Sequence, residues 1–184
     1  MNKAEEFLKK YLMSFSEIIN NDNQSHIKLI KILKVLKKYR NKKRVHIFGN
    51  GGSATIASHF SMDLTNNSSI KCISYNDPSL ITCYSNDFKF ENWVSRTIYK
   101  YGEAGDLLIL ISSSGESKNM INASKAAKKK KFHKIITFTG FKKNNKLSKI
   151  GNINFWVNSK NYNLVESSHH FFLLTLVDLI KLSK

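Results

Sequence analysis

At 184 residues, with 41% hydrophobic and 23% charged side chains and a single proline, the chain can bury one sizeable core and has little room for a disordered linker. Its formal charge of +17 would suit nucleic acid or an anionic membrane, but 27 of the 30 basic residues are lysine, scattered apart from the run at 128–131, and base-reading clamps favour arginine. The excess therefore reads as Lys- and Asn-rich solvated faces: neither nucleic acid nor membrane is expected as a partner, while the positive field would draw in a phosphorylated substrate.

The N-terminal "MNKAEEFLKK" shows no signal-peptide pattern, and no apolar run is long enough to span a bilayer, so a cytoplasmic location is expected. Two amphipathic helices come first. Phe7, Leu8, Tyr11, Leu12, Phe15, Ile18 and Ile19 recur at helical spacing, as do Leu29, Ile30, Leu33, Leu36 and Tyr39. The stretch "NNDNQ" at 20–24 is the expected turn, and the stripes either close the core or pack against another subunit.

From residue 44 short apolar runs alternate with helical segments. Strands are predicted at 45–48, 70–75, 107–112, 134–139 and 153–157, and helices at 53–66, 88–101, 116–131, near 144–150 and at 163–182. The pattern predicts an α/β fold: a three-layer α/β/α sandwich around a five-stranded parallel sheet, preceded by the two N-terminal helices. Residues 1–184 read as one domain, with 1–42 the helical pair and 43–184 the α/β core. Cys72 and Cys83 fit no zinc or redox spacing and read as reduced thiols. His26, His46 and His133 read as structural.

Ligands of such sheets bind beyond the carboxyl ends of the strands, near the switch point. Three loops lie there. "GNGGS", 49–53, offers close backbone approach at Gly51 and Gly52, the side chains of Asn50 and Ser53, and a helix N-terminus. It has no P-loop lysine, and although it satisfies the loose GxGxxA pattern, Asp77 is not at a clean strand end. No nucleotide cofactor is expected. "SSSGES" carries Ser112, Ser113, Ser114 and Ser117 at the start of a helix, a set of donors that suits a phosphate monoester. Between them, 76–92 reads as beginning in a polar loop, with Asn86 and Asp87 either bonding sugar hydroxyls or making turns and caps.

Together "GNGGS", "NDPSLITCYSND", "SSSGES" and the closing "VESSHH" resemble the sugar isomerase (SIS) family, and within it the phosphoheptose isomerases, over nearly the whole chain. Those enzymes interconvert sedoheptulose 7-phosphate and a manno-heptose 7-phosphate. The resemblance implies a homotetramer with active sites at subunit interfaces, phosphate held by the serine loop and Ser53, and in several members a zinc ion. It also implies a His and a Glu four apart on the helix after GNGGS, read here as His59 and Asp63, and a Gln and a His eight apart on the last helix, read here as Glu166 and Leu174.

On this basis Asp63, Glu166 and His169 are the expected catalytic groups, His170 being the alternative to His169. His59, Asp63 and Glu166 are the candidate zinc ligands. The expected activity is aldose–ketose isomerisation of a heptose phosphate through an enediol, supplying precursors of lipopolysaccharide or capsule. Leu174 in the place of a histidine keeps two alternatives open: a non-catalytic phosphosugar-binding or adaptor protein of the replication-initiator-binding type, and an isomerase of another sugar phosphate.

Overall fold

The structure, a computed structural model, describes residues 2–20 and 23–182, with backbone alone at 23 and 24. Helices α1 (Lys3–Asn20) and α2 (Asn23–Lys37) precede β1 (Val45–Phe48), α3 (Gly52–Asn67), β2 (Cys72–Ser74) and α4 (Pro78–Phe88). A short 3-10 turn, Phe90–Asn92, leads into α5 (Trp93–Tyr101). Then follow β3 (Leu107–Ser112), α6 (Lys118–Lys129), β4 (Lys134–Thr139), α7 (Lys146–Ile150), β5 (Ile153–Trp156) and α8 (Tyr162–Lys181). Asn20 closes α1 and Asn23 opens α2, so the turn expected between them falls largely on residues 21 and 22, outside the described residues.

All strands pair in parallel, in the order β2-β1-β3-β4-β5. The chain moves from β1 outward to β2 and then crosses back to the other side of β1, so the switch point lies between β1 and β3. β3 is buried along its whole length, and successive side chains serve opposite faces. Leu107, Ile109 and Ile111 join the core under α2, α3 and α8, where Ile32, Leu36, Phe60, Leu64 and Leu173 pack. Leu108 and Leu110 join the other, with Trp93, Ile98 and Met120. The sheet is thus covered on both faces, the three-layer arrangement expected of parallel strands rich in apolar residues.

Two expectations need correction. The segment after β2 is a helix: the Asp77 side chain accepts the Leu80 N–H at 2.8 Å and Pro78 occupies the first turn, a strong start signal that outweighs the polar composition. The helix expected from residue 88 begins at Trp93, because Lys89 takes a positive φ of 69° and breaks the chain direction. The N-terminal stripes also divide. That of α2 enters the core, whereas α1 buries none of its side chains and leaves Phe7 65% and Leu12 58% exposed.

His46 is structural. Its two ring nitrogens reach Tyr75 OH and Asp106 Oδ2, each at 2.9 Å, and Asp106 also accepts the N–H groups of Arg44 and Glu103.

Candidate active site

The carboxyl ends of β1 and β3 lie side by side and launch the two loops singled out above. At the end of β3 the serine loop folds back on itself. Ser112 Oγ accepts the Gly115 N–H and lies 3.1 Å from Ser117 Oγ, and Ser114 Oγ accepts the Glu116 N–H. Gly115 has a φ of +67° and packs on the Asn145 side chain, so neither conformation nor space admits a Cβ. Glu116 clamps the loop to α7 through the Lys146 N–H and ammonium, both at 3.0 Å, and this lysine holds its carboxyl below the usual range. Ser117 stands at the N-cap of α6 without a cap hydrogen bond from its side chain, which turns to Ser112 instead. Ser113 Oγ is buried and makes no hydrogen bond to any other described group. Hydroxyls and backbone donors gathered at a helix start form a cradle for a phosphate.

GNGGS is tied to this cradle. Asn50 and Asn119 exchange a reciprocal pair of amide hydrogen bonds at 3.0 and 2.8 Å, joining the start of α3 to the start of α6. A cavity of about 380 Å³ opens beside them, lined by Asn50, Asn119 and Ser117 with the segment 89–91 and Lys118. The Asn50 side chain, expected to meet substrate, instead holds two loops together. Ser53 is buried and donates to Glu166 Oε1 at 3.3 Å, and the Glu166 carboxylate lies against Gly52, where a Cβ would overlap it. The positive end of α3 therefore faces a side-chain carboxylate of this same chain.

Farther along the groove between α3 and α8, His59 Nδ1 lies 2.8 Å from His170 Nε2 and His59 Nε2 lies 3.3 Å from Asp63 Oδ2. The His170 imidazole is held below its ordinary pKa mainly by burial; His59 adds to the shift and Asp63 opposes it.

His169, expected as a catalytic group, lies elsewhere. It is fully buried, donates from Nε2 to the Thr139 carbonyl at 3.1 Å and meets the edge of Phe138. Burial lowers its pKa to about 4, so it is a neutral core residue at neutral pH. Helical phase turns one of the adjacent histidines to the sheet and the other to His59. Asn86 and Asp87 do not join the site either: they are exposed on α4 and bond to each other at 3.1 Å.

The expected zinc ligands do not converge. The nitrogens of His59 point to opposite sides of its ring, one toward Asp63 and the other toward His170, so these partners cannot share one ion with it in this arrangement. Glu166 is turned to Ser53, Leu174 offers no donor, and no three His, Cys, Asp or Glu side chains among the described residues are placed to hold a metal. The donor types suit zinc, but their placement does not.

Sequence reasoning gave no role to Asn119 or Glu116. A Glu inside a serine-rich loop followed at a distance by lysines was the only signal for the clamp, and Asn119 carried none.

A parallel five-stranded sheet with a serine cradle at its switch point defines an α/β protein with a phosphate-binding cradle. The family model described as SIS domain matches residues 6–140, and the chain belongs to the SIS domain family. It is 37% identical over 151 residues to a phosphoheptose isomerase of Glaesserella parasuis, covering 77% of this chain and 78% of that protein. It is 38% identical over 157 residues to a phosphoheptose isomerase of Buchnera aphidicola, covering 83% and 75%. The solved phosphoheptose isomerase of Francisella tularensis superposes with a TM-score of 0.87 at 25% identity over 98% of both chains.

Proposed function

We propose that the protein is a phosphosugar aldose–ketose isomerase that interconverts sedoheptulose 7-phosphate and a manno-heptose 7-phosphate through an enediol. The observation that carries this reading is the placement, at the ends of the paired strands β1 and β3, of the serine cradle and of the Glu166 carboxylate on Ser53. The relatives named phosphoheptose isomerase, similar over three-quarters or more of the chain, supply the substrate.

In this reading Ser112, Ser113, Ser114 and Ser117 hold the phosphate, while Ser53 and Gly52 seat the Glu166 carboxylate beside it. Glu166 and the histidine cluster His59–His170 beside Asp63 provide the acid and base groups. A proton leaves the carbon beside the carbonyl, the carbonyl oxygen gains one, and reversal on the neighbouring carbon gives the isomer. No step is routed through zinc, since the donors do not converge. The +17 charge favours capture of the anionic substrate.

The same reading includes a homotetramer with sites at subunit interfaces. The exposed apolar face of α1 supports it, as do exposed Met62 and Phe171 beside Asp63 and His170. It also includes a cytoplasmic role in heptose supply for lipopolysaccharide or capsule. No described helix is long and apolar enough to cross a membrane.

The test is to incubate the protein with sedoheptulose 7-phosphate and follow aldose phosphate formation in wild type and Glu166→Gln. Turnover lost in the variant supports the reading. Tight phosphosugar binding without turnover in the wild type favours the binding-protein alternative, to which Leu174 lends support.

A further inference from the structure

His59 stands between two partners. The Asp63 carboxylate lies 3.3 Å from Nε2 as a charge contact rather than an aligned hydrogen bond; its negative charge disfavours a lone pair on the nitrogen facing it, which puts the proton of His59 on Nε2. Nδ1 then keeps its lone pair and can only accept, which makes His170 Nε2 the donor across 2.8 Å. His170 Nδ1 is left as the basic nitrogen at the end of the chain Asp63–His59–His170. The logic is that of a carboxylate that orients an imidazole and fixes its tautomer, extended by one further ring.

The placement of this chain suits the reacting end of a sugar. His59 is six residues beyond Ser53 on α3, about 9 Å along the helix axis. Glu166 and His170 occupy successive turns of α8 on one face. A sugar held by its phosphate at the serine cradle would extend its far end along the groove, past Glu166 on Ser53, toward His170. His170 is half-buried, unlike His169, and so within reach of a ligand.

Resting on the isomerase reading, we propose that His170 is a catalytic residue: its Nδ1, oriented by Asp63 through His59, moves the carbon-bound proton between C1 and C2. Nδ1 takes a proton from C1 of the ketose, the C1–H electron pair becomes the C1–C2 double bond, and the carbonyl pair moves onto O2, which takes the O1 proton relayed by the Glu166 carboxylate. Nδ1 then returns its proton to C2, the C1–C2 pair forms that C–H bond, and the pair left on O1 forms the C1 carbonyl. Atoms and electrons balance without an oxidant or a metal. Asp63 and His59 are positioning residues.

The test uses the full chain, dialysed against a chelator, with sedoheptulose 7-phosphate as substrate. His170→Ala is expected to lower kcat about 100-fold or more with KM within a few-fold of wild type, and added imidazole to restore about tenfold of the loss. Asp63→Asn is expected to lower kcat and to convert the ring-nitrogen resonances of His59 and His170 from single tautomers to mixtures, a change that a merely structural carboxylate would not cause. Zinc titrated into the dialysed wild type is expected to give neither stoichiometric binding heat nor a gain in rate. The proposal is overturned if His170→Ala is as active as an active wild type, or if the dialysed protein is inert until zinc is returned. Absence of any sugar-phosphate turnover in the wild type, with and without zinc, removes the isomerase reading itself and the proposal with it.

Discussion

Glu166 on α8 and Ser53 on α3 meet across the mouth of the site, Ser53 Oγ donating to Glu166 Oε1 at 3.3 Å while the second carboxylate oxygen rests on Gly52. Gly52 therefore leaves room for a carboxylate. Gly52→Ala would push that flexible side chain aside without breaking the helix. The expected outcome is a Tm close to wild type and a fall in kcat of about tenfold or more, measured by steady-state isomerisation.

Ser112 and Ser117 are the pair on which the phosphate cradle closes. Hydrogen bonds to a charged group contribute about 1.5–3 kcal/mol each, so Ser112→Ala or Ser117→Ala should weaken phosphosugar binding by about ten- to a hundredfold. Calorimetric titration with sedoheptulose 7-phosphate checks this. Unchanged affinity in both variants would remove the serine loop from the site.

Gly115 tests the clamp behind the loop. A Cβ at its φ of +67° costs about 1–2 kcal/mol and also meets Asn145. Gly115→Ala is expected to lower Tm by at least about 2–4 °C per kcal/mol lost, read in a thermal melt.

His169 makes stability depend on pH with a defined sign. Burial lowers its pKa from 6.5 to about 4 in the folded chain, so the unfolded chain takes up the proton first as pH falls. Stability is highest above pH 6.5, declines between 6.5 and about 4, and is flat below that for this group, a total loss of about 3 kcal/mol. Burial also lowers the pKa of His46, which contributes in the same direction. Denaturant melts of wild type and His169→Gln across this range should converge at low pH if His169 carries its share.

Leu174 lies one turn beyond His170 on α8. Leu174→His would supply a donor that this chain lacks and that the resemblance places there. Dialysed Leu174→His protein is expected to gain measurable zinc binding by calorimetry while wild type shows none. Equal binding by both would contradict the present account of the metal.

Much of the fold was legible because parallel strands buried on both faces leave continuous apolar runs, and 45–48, 107–112 and 134–139 match β1, β3 and β4 residue for residue. Helix α4 was not, since the Asn and Asp residues scattered through 76–92 masked the Asp77–Pro78 start. In the site, the serine loop could be read locally, because its donors lie within six residues. The seat of Glu166 could not: its partner Ser53 is 113 positions away, and only packing of α3 on α8 unites them. His169 and His170 differ by one step of helical phase, and tertiary packing alone decides which of them meets the sheet.

Isomerisation by this chain's own acid and base groups is open to direct test by proton NMR of sedoheptulose 7-phosphate in deuterated water with a catalytic amount of chelator-dialysed protein. Aldose phosphate signals are expected to grow, deuterium to enter at the carbons next to the carbonyl, and both to be lost in Glu166→Gln. A spectrum that stays that of the unlabelled ketose, with the sugar demonstrably bound, would contradict it.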